Sequence, residues 1–189
     1  MAERASPLAR IQPIQGDASV TIRQVPFASI VQVSAWPETL ENVKTVLREL
    51  LSVEVPEAGK ASCTADIRVA AAAPGRFLIA GQAPDLVMRL EAAVTSRDAV
   101  VTDLSHGRVV LRLWGDSTAA LLAKAVAIDL DQKEFPPGRF AQTTIDHVDV
   151  ALHRLAPDCF ELWAFRSFVE SLAESLLDAG LEVGAAFSP

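Results

Sequence analysis

Asp103, Ser105 and His106 stand within four residues of one another in the stretch VVTDLSHGRVVLRLWG, Val100 to Gly115. A serine nucleophile, an imidazole base and a carboxylate that orients the base are the parts of a covalent transferase or hydrolase, and such chemistry also asks for an oxyanion site. Nothing in the sequence announces one. The same residues suit the polar tip of a hairpin. With His106-Gly107 as a two-residue turn, Ser105 opposes Arg108, Leu104 opposes Val109, Thr102 opposes Leu111 and Val100 opposes Leu113. Aliphatic residues then collect on one face, and Asp103 and Arg112 become diagonal neighbours on the other. Gly107 supplies the positive φ of the turn. We read the stretch as this hairpin.

Positioning such a tip takes a folded scaffold, and 189 residues suffice to build one. A chain of this length buries about 70% of its unfolded surface without help from a metal or disulfide. Half the residues are apolar and 22% charged, a globular balance, while the net charge of −7 argues against nucleic acid or an anionic membrane as partner. Cys63 and Cys159 show no C-x-x-C spacing, so both are expected to be reduced, mostly buried thiols. His147 and His153 fall on one face of an expected strand but about 20 Å apart along it, too far to share a metal. The opening MAERASPLARIQPIQGDAS has no continuous apolar core of a secretory signal, and no run long enough to cross a membrane follows. A cytoplasmic chain is expected, with residues 1–18 as a flexible arm.

Beyond that arm the pattern alternates between periods of 2 and 3.6. VTIRQVPFASIVQVSA is rich in β-branched residues and interrupted at Pro26, which predicts two short strands or one bulged strand. ETLENVKTVLRELL then places Leu40, Val43, Val46, Leu47, Leu50 and Leu51 at helical spacing behind Pro37. CTADIRVAAA and RFLIAG predict a strand pair around Pro74-Gly75, and PDLVMRLEAAV a second helix. The order recurs in VVLRLWG, DSTAALLAKAVA, RFAQTTID, HVDVALHRLA, DCFELWAF and RSFVESLAESLLDAG. Aligning Ile30 with Val109 and Phe77 with Phe160 gives offsets of 79 and 83 residues, which suggests internal duplication. The expected fold is α+β, two split-βαβ units with helices packed on antiparallel or mixed sheets. The halves are residues 19–101 and 102–189. Trp36, Trp114 and Trp163 fall near strand ends, where large aromatics close a core or line an interface, the core being the favoured reading.

Asp103, Ser105, Gly115 and Asp116 follow the order found in the glycine-cleavage T-protein superfamily, in which a strand ending Asp-x-Ser leads to a second strand, a Gly, an acidic residue and a helix. A longer set extends the likeness: Asp103-Leu104-Ser105-His106-Gly107-Arg108, Phe135-Pro136-Pro137-Gly138, Ala141-Gln142-Thr143, His153-Arg154 and Arg166-Ser167-Phe168. With these the chain resembles the gamma subunits of heterotetrameric sarcosine oxidase. The resemblance implies a folate-binding-like fold and a noncatalytic place in an enzyme that oxidatively demethylates sarcosine or a related N-methyl amino acid. It implies partner subunits of alpha, beta and delta type that hold the flavins, NAD and tetrahydrofolate, with no cofactor in this chain. The sequence itself has no G-x-G-x-x-G, no Walker loop and no paired catalytic carboxylates.

No catalytic, cofactor-binding or metal-ligating residue is therefore assigned. The residues expected to contact other subunits are Ser105, His106 and Arg108 in the turn, Phe135 and Arg139 in EFPPGRF, and Trp163, Arg166 and Phe168 in WAFRSF. Two alternatives stay open at this point: a stand-alone folate-dependent aminomethyltransferase-like protein, and a folate-fold binding module.

Overall fold

The computed structural model describes residues 6–12 and 18–188. The rest of the expected N-terminal arm, residues 1–5 and 13–17, lies outside the described residues. The elements are β1 (Val20–Val25), β2 (Ser29–Ala35), α1 (Leu40–Leu51), β3 (Ala61–Cys63), β4 (Ile67–Ala73), β5 (Arg76–Gly81), α2 (Leu86–Ala93), β6 (Ala99–Asp103), β7 (Arg108–Trp114), α3 (Thr118–Ala125), β8 (Phe140–Ile145), β9 (Val148–Ala156), β10 (Cys159–Phe165), α4 (Val169–Ala179) and β11 (Ala185–Ser188). The chain divides into two units. One comprises Pro26–His106 with Gly138–Ala141, and the other Met1–Val25, Gly107–Pro137 and Gln142–Pro189.

In the first of these a five-stranded sheet runs in the order β3-β4-β5-β2-β6. Alternation along its strands puts Val31 and Val33, Val69 and Ala71, and Phe77 and Ile79 on one face, in a single buried cluster with Val43 and Leu47 of α1 and Leu86 and Leu90 of α2. Helix α1 follows a 3₁₀ turn, Pro37–Thr39, with proline at its first position, where the missing N–H costs nothing. It stops at Ser52, whose left-handed backbone (φ 52°) lets its N–H donate to the Arg48 carbonyl.

The second unit repeats the plan and adds one strand. Its sheet order is β11-β1-β7-β10-β9-β8. Read from the other edge, β8-β9-β10-β7 corresponds to β3-β4-β5-β2. Where β6 pairs directly with β2, β1 sits between β7 and β11. Register fixes the correspondence: Phe77 lies opposite Val33 and Ala71, and Phe160 opposite Leu113 and Arg154. The Phe77–Phe160 alignment agrees with this register. Ile30 pairs with Ala80, whose counterpart Trp163 pairs with Val110, so the partner of Ile30 in the repeat is Val110 rather than Val109. A slip of one residue exchanges the two faces of a strand, so this correction decides which side of β7 meets the helices.

The predicted hairpin at Val100–Gly115 does not form. β6 pairs with β2, while β7 pairs with β1 and β10. Alternating aliphatic residues on both sides of a polar turn serve two separate sheets as well as one hairpin, and pattern alone cannot separate the cases. Asp103 and Arg112 are therefore not cross-strand neighbours. A two-residue turn of the expected kind occurs instead at Asp146-His147, both with positive φ (48° and 67°), joining β8 to β9. His147 is thus a turn residue and not on the strand with His153.

The thiols also differ from expectation: Cys63 is exposed and Cys159 half-buried, since each ends or begins a strand. Of the tryptophans only Trp163 is buried, while Trp36 and Trp114 are exposed. Gly115 has φ 128°, and a Cβ there would overlap the Ser19 carbonyl oxygen, so a backbone approach accounts for this glycine of the motif.

Candidate interaction site

The motif Asp103-Leu104-Ser105 is spent on the backbone. Ser105 Oγ accepts the Ile30 N–H at 2.9 Å and donates to the Ile30 carbonyl at 3.3 Å. Asp103 Oδ1 accepts the Ser105 N–H at 2.8 Å, and the Leu104 N–H donates to the Ile30 carbonyl at 2.8 Å. The serine side chain takes the place of a further rung between β6 and β2 and ends the strand. The Ser105 hydroxyl is thus engaged both as acceptor and as donor by the Ile30 backbone. Ser105→Ala leaves the buried Ile30 N–H without this acceptor and should cost about 1–3 kcal/mol of stability, read by denaturant unfolding.

The expected contact residues separate by burial. Ser105, Phe135 and Trp163 are interior, Arg108, Arg139 and Arg166 are half-buried, and His106 and Phe168 are exposed. Phe135 is buried, and its carbonyl accepts a hydrogen bond from Arg154 Nη1 at 2.7 Å. Arg139 bridges to Lys60 in a short antiparallel contact.

In the unit of β7 and β10, the structure brings the turn and the WAFRSF corner together. The Arg166 N–H donates to the Gly107 carbonyl at 2.9 Å. Arg108 and Phe165 face each other across β7 and β10, and the guanidinium lies over the ring at 4.2 Å from its centroid. Phe165 is 39% and Phe168 51% exposed, in a chain whose other large apolar side chains are mostly interior. Beside the stack lies a cleft of about 300 Å³ lined by Arg108, Gln142, Thr143, Asp149, Val150, Ala151 and Phe165. Burial pushes the Arg108 pKa down and Asp149 opposes that shift, but an arginine remains charged.

A second polar group lies within the same sheet. Register sets Arg112, Glu161 and His153 abreast on β7, β10 and β9. Glu161 is fully buried and accepts from Arg112 Nη2 at 2.6 Å and Nε at 3.2 Å, while His153 Nδ1 stands 3.8 Å from its other oxygen. Among the described residues no cluster of His, Cys, Asp and Glu is arranged to hold a metal ion, and no helix is long and apolar enough to cross a membrane.

Comparison with known proteins places this geometry. A family model of the GCVT N-terminal domain matches residues 52–187. Sarcosine oxidase subunit gamma of Corynebacterium sp. (strain U-96) is 30% identical over 179 residues, covering 92% of this chain and 85% of that protein. The chain belongs to the sarcosine oxidase gamma-subunit family. In the solved structure of heterotetrameric sarcosine oxidase from Corynebacterium sp. U-96 in complex with pyrrole 2-carboxylate, one chain matches at a TM-score of 0.85 and 28% identity. The match covers 98% of this gamma-type chain and 99% of that one. Glycine cleavage system aminomethyltransferase T from Bartonella henselae shares the fold, with a TM-score of 0.63 and 20% identity over 90% of this chain. The gamma-type chain spans 48% of that enzyme, about half its length.

Sequence reasoning missed Phe165, Asp149 and Glu161 as members of these polar groups. Phe165 stood inside WAFRSF, but its pairing with Arg108 depends on the β7–β10 register, which links residues 57 positions apart. The signal available for Glu161 was a charge at an inward position of an otherwise apolar strand, CFELWAF.

Proposed function

We propose that this chain is the noncatalytic gamma-type subunit of a heterotetrameric, flavin-dependent sarcosine or N-methyl amino acid oxidase. In this reading it supports assembly of alpha, beta and delta-type subunits, which hold the flavins, NAD and tetrahydrofolate, and it works in the cytoplasm. The observation that carries the reading is the end-to-end match to one chain of a heterotetrameric enzyme, 98% of one and 99% of the other.

Contact with partner subunits is assigned to the accessible members of the expected set, His106, Arg108, Arg139, Arg166 and Phe168. Aromatic residues and arginine are the types enriched in the cores of such interfaces. Ser105, Phe135 and Trp163 support those contacts from the interior.

The isolated full chain is expected to be colourless, to turn over no sarcosine, and to show no saturable site in a tetrahydrofolate titration. It binds the alpha or beta-type subunit when mixed with it. Yellow protein, or turnover without partners, overturns the reading, and a tight folate site would favour the aminomethyltransferase alternative.

A further inference from the structure

The geometry points to the Arg108 cleft as a socket for a carboxylate side chain of a partner subunit. The inference rests on the subunit reading above and adds what chemistry the contact uses. Arg108 Nε is buried and has no hydrogen-bond partner among the described residues. The guanidinium makes no ion pair within 4 Å among them, although Asp149 is close enough to act on its charge. That nitrogen is closed to an incoming group, so an acceptor from outside would meet the terminal N–H groups of the same half-buried guanidinium.

The stack on Phe165 selects the acceptor. With one face covered by the ring, the guanidinium offers its edge, whose fork of N–H groups matches the two oxygens of a carboxylate. Gln142 and Thr143 add neutral hydrogen-bonding groups, and Val150 and Ala151 complete the lining. A cleft of about 300 Å³ sits at the small end of ligand sites and suits one Asp or Glu side chain rather than a dinucleotide. Asp149 is exposed and of the same sign as the incoming group, so it competes for Arg108. The chain as a whole carries −7, so long-range attraction does not bring an acidic segment here. The pair acts after docking, on the dissociation rate.

The test uses the full chain and its partner subunits. Dissociation of the gamma-type chain from the assembled complex is timed for the wild type, Arg108→Met, Arg108→Lys and Asp149→Asn, beside the melting temperature of each chain alone. Arg108→Met should dissociate about tenfold faster or more with little change in melting, and Arg108→Lys should fall between, because an ammonium cannot make the forked pair. Asp149→Asn should dissociate more slowly than wild type, since the competing charge is gone. Opposite signs at the two positions distinguish a socket from a merely structural arginine, and Asp149→Asn reads out even where Arg108→Met fails to fold. Unchanged dissociation in a folded Arg108→Met chain, or faster dissociation of Asp149→Asn, overturns the inference while leaving the subunit reading in place. A wild-type chain that binds no partner overturns both.

Discussion

Arg154→Met lowers the melting temperature of this chain by about 10 °C, following a loss of about 3–5 kcal/mol. The residue is 1% exposed and sits on β9 opposite Phe160. Its guanidinium donates to the carbonyls of Leu130, Phe135, Ala156 and Pro157 at 2.6 to 3.3 Å and lies over the Phe160 ring. It thereby ties the segment between α3 and β8 to the β9–β10 turn. Burial pushes its pKa down and Asp131 partly opposes this, but the four acceptors keep a cation in place. Methionine fills much of the volume and leaves those carbonyls without their donor. Arg154→Lys rescues only in part, because one ammonium cannot reach all four oxygens. Thermal unfolding of the three proteins checks the order wild type, Lys, Met.

The second large effect is at Arg112. Arg112→Met removes the two hydrogen bonds donated to Glu161 Oε1 and leaves a fully buried carboxylate beside His153. Breaking a buried pair from one side typically costs about 3–5 kcal/mol, whereas replacing both partners by apolar residues of similar volume is often nearly neutral. Denaturant unfolding should therefore show Arg112→Met strongly destabilised and Arg112→Met with Glu161→Met recovering most of the loss. Additive losses in the double variant would show that the two side chains act independently.

Much of the fold was legible because the patterns that specify it are local. Val43, Leu47 and Leu51 recur at helical spacing, and α1 buries that stripe. The recurring order of strands and helices, with Phe77 and Phe160 at matching places, pointed to two units of one plan, and the sheet orders agree. Pairing was not legible. The stretch Val100–Leu113 alternates in the way a hairpin does, yet its two strands belong to different sheets, and the partner that ends β6 is Ile30, far away in sequence. The insertion of β1 between β7 and β11 depends on contacts between the two ends of the second unit, which no local pattern encodes.

The candidate site divides the same way. The turn Ser105–Arg108 and the corner Trp163–Phe168 were singled out in the sequence, and the structure joins them through the Arg166 N–H and the Arg108–Phe165 stack. Their neighbours Asp149, Gln142 and Thr143 were not among the expected contacts, although Gln142 and Thr143 belong to an element of the resemblance, because the cleft that gathers them depends on strand pairing. Ser105 gave the opposite error. Its type suggested chemistry or contact, and its hydroxyl proves to complete the backbone pairing of β2.

The central claim is that this chain acts as an assembled subunit. Its most direct test is the mass and absorbance of the particle formed when the chain is co-expressed with the alpha, beta and delta-type subunits from the same source. The account predicts that the chain elutes with all three in one stoichiometric, flavin-coloured complex, and that omitting it lowers the yield of that complex. A chain that elutes alone at its own mass of 20.2 kDa, while the other three assemble and turn over without it, would contradict the account.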